Sequence, residues 1–114
     1  MKTKQWCCNI EGTKTDFILC SYSNRLFFVI TQLEKLGTLM EASSDLSAEG
    51  ETTYSVRTLL GKREPTSEVY ARELISLTYP LAPKPLLLAL SLKATSPTIF
   101  KTIIAQIKQN IQIQ

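Results

Sequence analysis

"RLFFVITQLEKLGTLMEA" (residues 25–42) is the stretch on which the fold turns. It begins in one apolar run and ends in another, with Glu34, Lys35 and Gly37 between them. Residues 25–31, rich in Phe, Val and Ile, read as a strand. Successive side chains of a strand point to opposite faces. Leu26, Phe28 and Ile30 then line one face, and Phe27 and Val29 the other. Both faces are apolar, so each needs something to cover it.

Towards the N-terminus, Ser23-Asn24 is a turn signal that pairs this strand with another over residues 15–22. Gly12-Thr13 is a second, joining that strand to one over residues 5–10. Towards the C-terminus, Gly37 closes a connection over residues 32–37, and residues 38–43 form a fourth strand. "SDLSAEGE" (44–51) is small, polar and acidic without periodicity, which predicts a loop. Residues 52–60, with Thr, Tyr and Val, predict a fifth strand that Gly61 stops. The period then changes. Pro65 suits the first turn of a helix, and Tyr70, Leu74 and Leu77 fall at helical spacing within residues 66–79. Pro80, Pro83 and Pro85 end that helix. Residues 86–93, short, apolar and bounded by proline, read as a buried strand. Ser96-Pro97 is an N-cap with proline at N1. The last helix then places Phe100, Ile103, Ile104, Ile107 and Ile111 on one face, and Lys101, Lys108 and Gln109 on the other.

The order is β-β-β-β-β-α-β-α. It predicts one domain over residues 1–114, with no repeat and no linker. The fold class is α+β: a two-layer sandwich of a mostly antiparallel six-stranded sheet with two helices on one face. Because most strands are consecutive, a meander is the expected order. The turns then sort the side chains. Trp6, Cys8, Ile10, Phe17, Leu19, Leu26, Phe28 and Ile30 share the helix side with Leu86, Leu88, Leu90 and Leu92. Ile18, Cys20, Phe27, Val29, Leu87 and Ala89 form the apolar centre of the other side, rimmed by Gln5, Asn9, Arg25 and Thr31. Two helices on one side cannot cover that second face. An apolar centre inside a polar rim has the make-up of a protein interface, and these six residues are the expected dimer contact. The competing readings are that residues 32–37 and 44–51 of the chain itself fold over the face, or that the face is simply solvated.

The composition narrows the function. The net charge is +3 and the 13 Lys and Arg are scattered, with no run longer than Lys62-Arg63. That is no nucleic-acid stripe. No stretch nears the ~20 apolar residues of a membrane span, and "WCCNIEG" (6–12) is no signal-peptide core. An intracellular protein is expected, in the cytoplasm, with the nucleus as a further option. Three cysteines, Cys7, Cys8 and Cys20, are an odd number and fit free thiols in a reducing compartment. The sequence contains no histidine, which excludes Ser-His-Asp and Cys-His catalysis. Its four glycines are isolated, so there is no phosphate loop. The reading is a binding protein without enzyme activity, cofactor or metal.

The chain resembles the proteasome assembly chaperone 3 family. The resemblance rests on "VITQ" (29–32), "EKLGTL" (34–39), "TLLGKREP" (58–65) and the helix and strand that follow. Thr31, Gln32, Lys35, Gly37, Thr38, Leu39, Leu59, Leu60, Gly61, Glu64 and Pro65 match the family's pattern, and Cys20 falls where that family has a cysteine. The C-terminal helix, rich in Ile and Gln, and the acidic 43–51 segment depart from it. The resemblance implies a non-enzymatic chaperone. Such a protein pairs through its sheet with a sister assembly chaperone of similar fold, or with itself. The dimer holds an α-type subunit of the 20S proteasome while the α-ring forms. Arg57, Arg63 and the acidic loop are candidate rim contacts for that subunit, with solvated surface charge as the equal alternative. The alternative is a small dimeric scaffold or trafficking domain unrelated to the proteasome.

Overall fold

The computed structural model describes residues 2–33, 37–93 and 96–111. Its elements are β1 (Lys2–Ile10), β2 (Thr13–Ser21), β3 (Leu26–Thr31), β4 (Thr38–Leu46), β5 (Thr52–Leu60), α1 (Pro65–Thr78), β6 (Leu86–Ser91) and α2 (Pro97–Ile111). This is the predicted order in an α+β fold. The six strands form one sheet, ordered β1-β2-β3-β6-β4-β5.

The sheet is not a meander. β6 enters between β3 and β4, parallel to β3 and antiparallel to β4. The composition of β6 explains its place. Of "LLLALS", every residue but Leu87 is buried, and a strand apolar on both faces belongs at the centre of a sheet. The remaining pairings are antiparallel.

The β2–β3 register is the predicted one, with Cys20 opposite Phe27 and Ile18 opposite Val29. The β1–β2 turn differs. It is Glu11-Gly12, with φ of +49° and +82°, so Ile10 faces Thr13 and Trp6 faces Phe17. A two-residue turn with positive φ at both positions matches the right-handed twist of the strands, and glycine suits its second position. The Asn9 side-chain oxygen accepts a bond from the Gly12 amide at 2.8 Å. The displacement from the predicted register is two residues, an even number, so every side chain keeps its face. β4 also runs on to Leu46, which shortens the predicted 44–51 loop to a turn over residues 47–51. That turn closes on itself, the Ser47 amide donating to the Glu51 carbonyl at 2.8 Å.

Both helices pack on one side. α1 lies over β4, β5 and β6, and α2 touches α1 and β1. Beneath them Phe17, Phe28, Ile30, Met40, Leu86 and Leu88 meet Leu74, Ile75, Ile103 and Ile107, all fully buried. Trp6 stacks flat on its cross-strand partner Phe17, ring centres 4.9 Å apart, and Tyr70 meets Phe100 edge-on at 4.7 Å. Burying one such side chain contributes roughly 1.5–3 kcal/mol. Pro65 opens α1 at the predicted position, and the Ser96 hydroxyl caps α2 by accepting the Ile99 amide at 3.1 Å.

Candidate functional site

The strand registers assemble the second face row by row. One row crosses all six strands as Gln5, Ile18, Val29, Ala89, Leu39 and Leu60. The adjacent row reads Thr3, Cys20, Phe27, Leu87, Glu41 and Arg57. All six side chains expected at a dimer contact therefore lie side by side on two neighbouring rows of the face that carries no helix. Ala89 is fully buried within the sheet, whereas Ile18, Cys20, Phe27, Val29 and Leu87 are half-buried. Residues 44–46 continue β4 and residues 47–51 close the hairpin, so that segment does not fold back over the face.

The face extends further than the sequence pattern indicated. Leu39 lies opposite Ala89, and the register of β4 against β5 shifts between Leu39 and Met40. Leu39 then faces Leu60 while Met40 faces Thr58, and Leu59 is left as the extra residue of a bulge. Leu59 and Leu60 are 41% and 63% exposed and carry the apolar surface out to the sheet edge. A bulge inside an apolar run leaves no local signal in the sequence.

One rim is polar and cross-linked. Glu41 accepts from Arg57 at 2.9 Å and lies 3.9 Å from Arg25, which ties β5, β4 and the start of β3. The Ser55 hydroxyl lies 3.3 Å from that of Ser43 and donates to Asp45 at 3.0 Å. Arg57 is exposed and Glu41 is half-buried, and ion pairs at such a surface contribute less than ~1 kcal/mol each to stability. Arg63 pairs instead with Glu68 at 2.9 Å, at the start of α1 and off this face.

Most of the residues that carried the resemblance build one corner of the fold. Gln32 donates from its side chain to the Thr15 hydroxyl at 3.0 Å and from its backbone to the Ser91 carbonyl at 2.7 Å. Its side-chain oxygen accepts the Lys93 amide at 3.0 Å. Gly37 has φ +67° and packs against Leu90 and Ser91 of β6 so closely that a Cβ would overlap them. Gly61, at φ +93°, leaves only 3.1 Å between a notional Cβ and the Thr38 Cα. Thr38 opens β4 and Pro65 opens α1, whereas Leu39 and its cross-strand partner Leu60 turn to the open face. Lys35 lies outside the described residues.

The cysteines form no centre. Among the described residues no group of three or more His, Cys, Asp or Glu could hold a metal. Cys7, Cys8 and Cys20 are free thiols. Burial, and then the neighbouring Cys7, push the Cys8 thiol up from its ordinary value, away from the reactive thiolate.

A family model described as proteasome assembly chaperone 3 matches residues 28–110. The chain is 32% identical over 115 residues to the proteasome assembly chaperone 3 of Nematostella vectensis, covering 92% of this chain and 85% of that one. It is 32% identical over 106 residues to the protein of the same description from Bos taurus, covering 90% and 87%. Among solved structures it matches a chain from the crystal structure of a novel chaperone complex for yeast 20S proteasome assembly. That match has a TM-score of 0.79 at 18% identity and covers 96% of this chain and 98% of that one. At that identity the likeness speaks for the fold.

Proposed function

The chain belongs to the proteasome assembly chaperone 3 family, and from that premise we propose that it works by binding alone, pairing through its open sheet face with a sister assembly chaperone. The pair holds an α-type subunit of the 20S proteasome during α-ring assembly, in the cytoplasm and nucleus. The observation that carries this reading is the apolar row from Ile18 through Val29 and the buried Ala89 to Leu39 and Leu60, on the side the helices leave open. In water such a surface invites a second protein, because burying it releases roughly 25 cal/mol per Å² of apolar area. The polar groups of Arg25, Glu41 and Arg57 supply the rim that fixes orientation. A partner of similar fold presents a matching sheet, and two stacked sheets leave both helix layers outside.

Affinity purification of the tagged chain from its own cells, read by mass spectrometry, tests this. The expected result is a second small chaperone together with α-type subunits and no finished particle. Recovery of the tagged chain alone would leave self-pairing as the use of the face. Recovery of unrelated partners only would overturn the assembly role.

A further inference from the structure

β5 is an edge strand of nine residues that pairs with β4 alone. Among the described residues no strand lies on its outer side, so that row of backbone groups is free to take another strand. Sheet edges are ordinarily guarded by lysine, by proline or by shortness. β1, at the opposite edge, carries Lys2 and Lys4. β5 contains neither lysine nor proline. Its one charge is Arg57, already tied to Glu41 of β4 at 2.9 Å, and its bulge residue Leu59 comes only near its end.

The charges at its two ends indicate what fits. Glu49 and Glu51 stand just before β5 and Lys62 just after it. All three are exposed, and none has an oppositely charged partner among the described residues. Beyond Lys62, Arg63 is held by Glu68, and Glu64 is the N-cap of α1. The strand therefore starts acidic and ends basic. An antiparallel strand of the same sequence meets it acid to base at both ends. The β1 edge runs from Lys2 and Lys4 to Glu11, so an antiparallel approach of β5 to it sets like charges together at both ends, which is unfavourable.

We propose that β5 pairs with β5 of a second copy of this chain, antiparallel about a two-fold axis at Ser55, in a contact separate from the open sheet face. About that axis Thr52 faces Thr58, Thr53 faces Arg57 and Tyr54 faces Val56, and the pairing stops short of the bulge at Leu59. The Tyr54–Val56 pair, aromatic against β-branched, is a favourable cross-strand combination and forms twice. The two Arg57 side chains stand about 13 Å apart along the strands, beyond the screening length of about 8 Å at physiological salt, and each keeps its own Glu41. Glu49 and Glu51 of each copy come alongside Lys62 of the other. A two-fold contact of this kind closes on itself and builds no filament.

The test is sedimentation equilibrium of the full chain carrying Phe27→Asp, whose charged open face leaves the β5 edge to be read alone. A weak monomer–dimer equilibrium is expected, with a Kd on the order of 100 µM for so small a contact. Lys62→Glu in that background sets carboxylate against carboxylate at both ends and should weaken association about tenfold. Glu49→Lys with Glu51→Lys sets ammonium against ammonium and should do the same. Mixed together, these two variants restore opposite charges at both ends and should associate at least as tightly as the background chain. Ser55→Asp, which opposes two carboxylates at the axis, should weaken association about tenfold. Circular dichroism should be unchanged throughout. A background chain that stays monomeric up to millimolar concentration would overturn the proposal. So would undiminished association in Ser55→Asp or in either charge variant, or a mixture no tighter than its components. None of these results touches the pairing through the open face.

Discussion

Gly37 and Ser91 meet where β4 starts beside the end of β6, and a Cβ placed on Gly37 would stand 2.8 Å from that of Ser91. The same Cβ would run into the Leu90 carbonyl, and the backbone φ of +67° disfavours any side chain. Gly37→Ala therefore combines left-handed strain with a clash against backbone, for a loss of about 3 kcal/mol. Urea unfolding measures it. A loss below about 1 kcal/mol would mean that the corner relaxes freely.

Gln32 joins the exit of β3 to Thr15 of β2 and to Ser91 and Lys93 at the end of β6. Gln32→Ala keeps the backbone bond and removes two side-chain bonds. The expected cost is about 1–2 kcal/mol. Hydrogen exchange locates it: the Lys93 amide, which donates to the Gln32 side chain, should lose protection while the centre of β3 keeps its own.

These two residues also show what a sequence does and does not reveal. The strands, both helices and the parity of each face follow from alternation and spacing, which are local. That is why Phe27, Val29, Leu87 and Ala89 fall on one side as expected. A turn displaced by one residue, to Glu11-Gly12, shifts the register by two and leaves that parity intact. Strand order is not local. Alternation along β6 says which side chains share a face and nothing about which strands lie beside it. The one cue was the double-sided burial of "LLLALS". The β4–β5 bulge adds Leu59 and Leu60 to the open face for a reason no single-strand pattern carries. Gln32, Gly37 and Gly61 were legible as a pattern, but their work at one corner required three strands in place.

Tyr70 gives the fold a limit at high pH. Its hydroxyl is buried without a partner, and burial pushes its pKa from 10.0 up to about 12. The folded-state value lies above the unfolded one, so the stabilisation is whole below pH 10. It is lost as the unfolded chain ionises first, between pH 10 and about pH 12. The loss is about 2 kcal/mol. Tyr70→Phe removes the ionisation and the unpaired hydroxyl together. The variant should be about 1 kcal/mol more stable at neutral pH and flatter above pH 10 in urea titrations. An unchanged slope above pH 10 would assign the alkaline loss to other groups.

Phe27 lies at the middle of the open face, between Cys20 and Leu87, where a charge meets no helix and no buried core. Phe27→Asp should thus leave the fold standing, at a cost within about 1 kcal/mol. Its effect belongs to the bound state. A carboxylate placed in the apolar centre of a paired face must be desolvated against hydrocarbon, and substitutions at such centres cost about 2–4 kcal/mol. Association with the sister chaperone should weaken by ~30-fold or more. The rim variant Arg57→Ala, 71% exposed at its side chain, should weaken it by less than about fivefold. Light scattering after co-expression reads both. Phe27→Asp should elute folded and unpaired, and Arg57→Ala paired. If the paired species survives Phe27→Asp intact, the partner grips some other surface, and the open face between β2 and β5 serves another end.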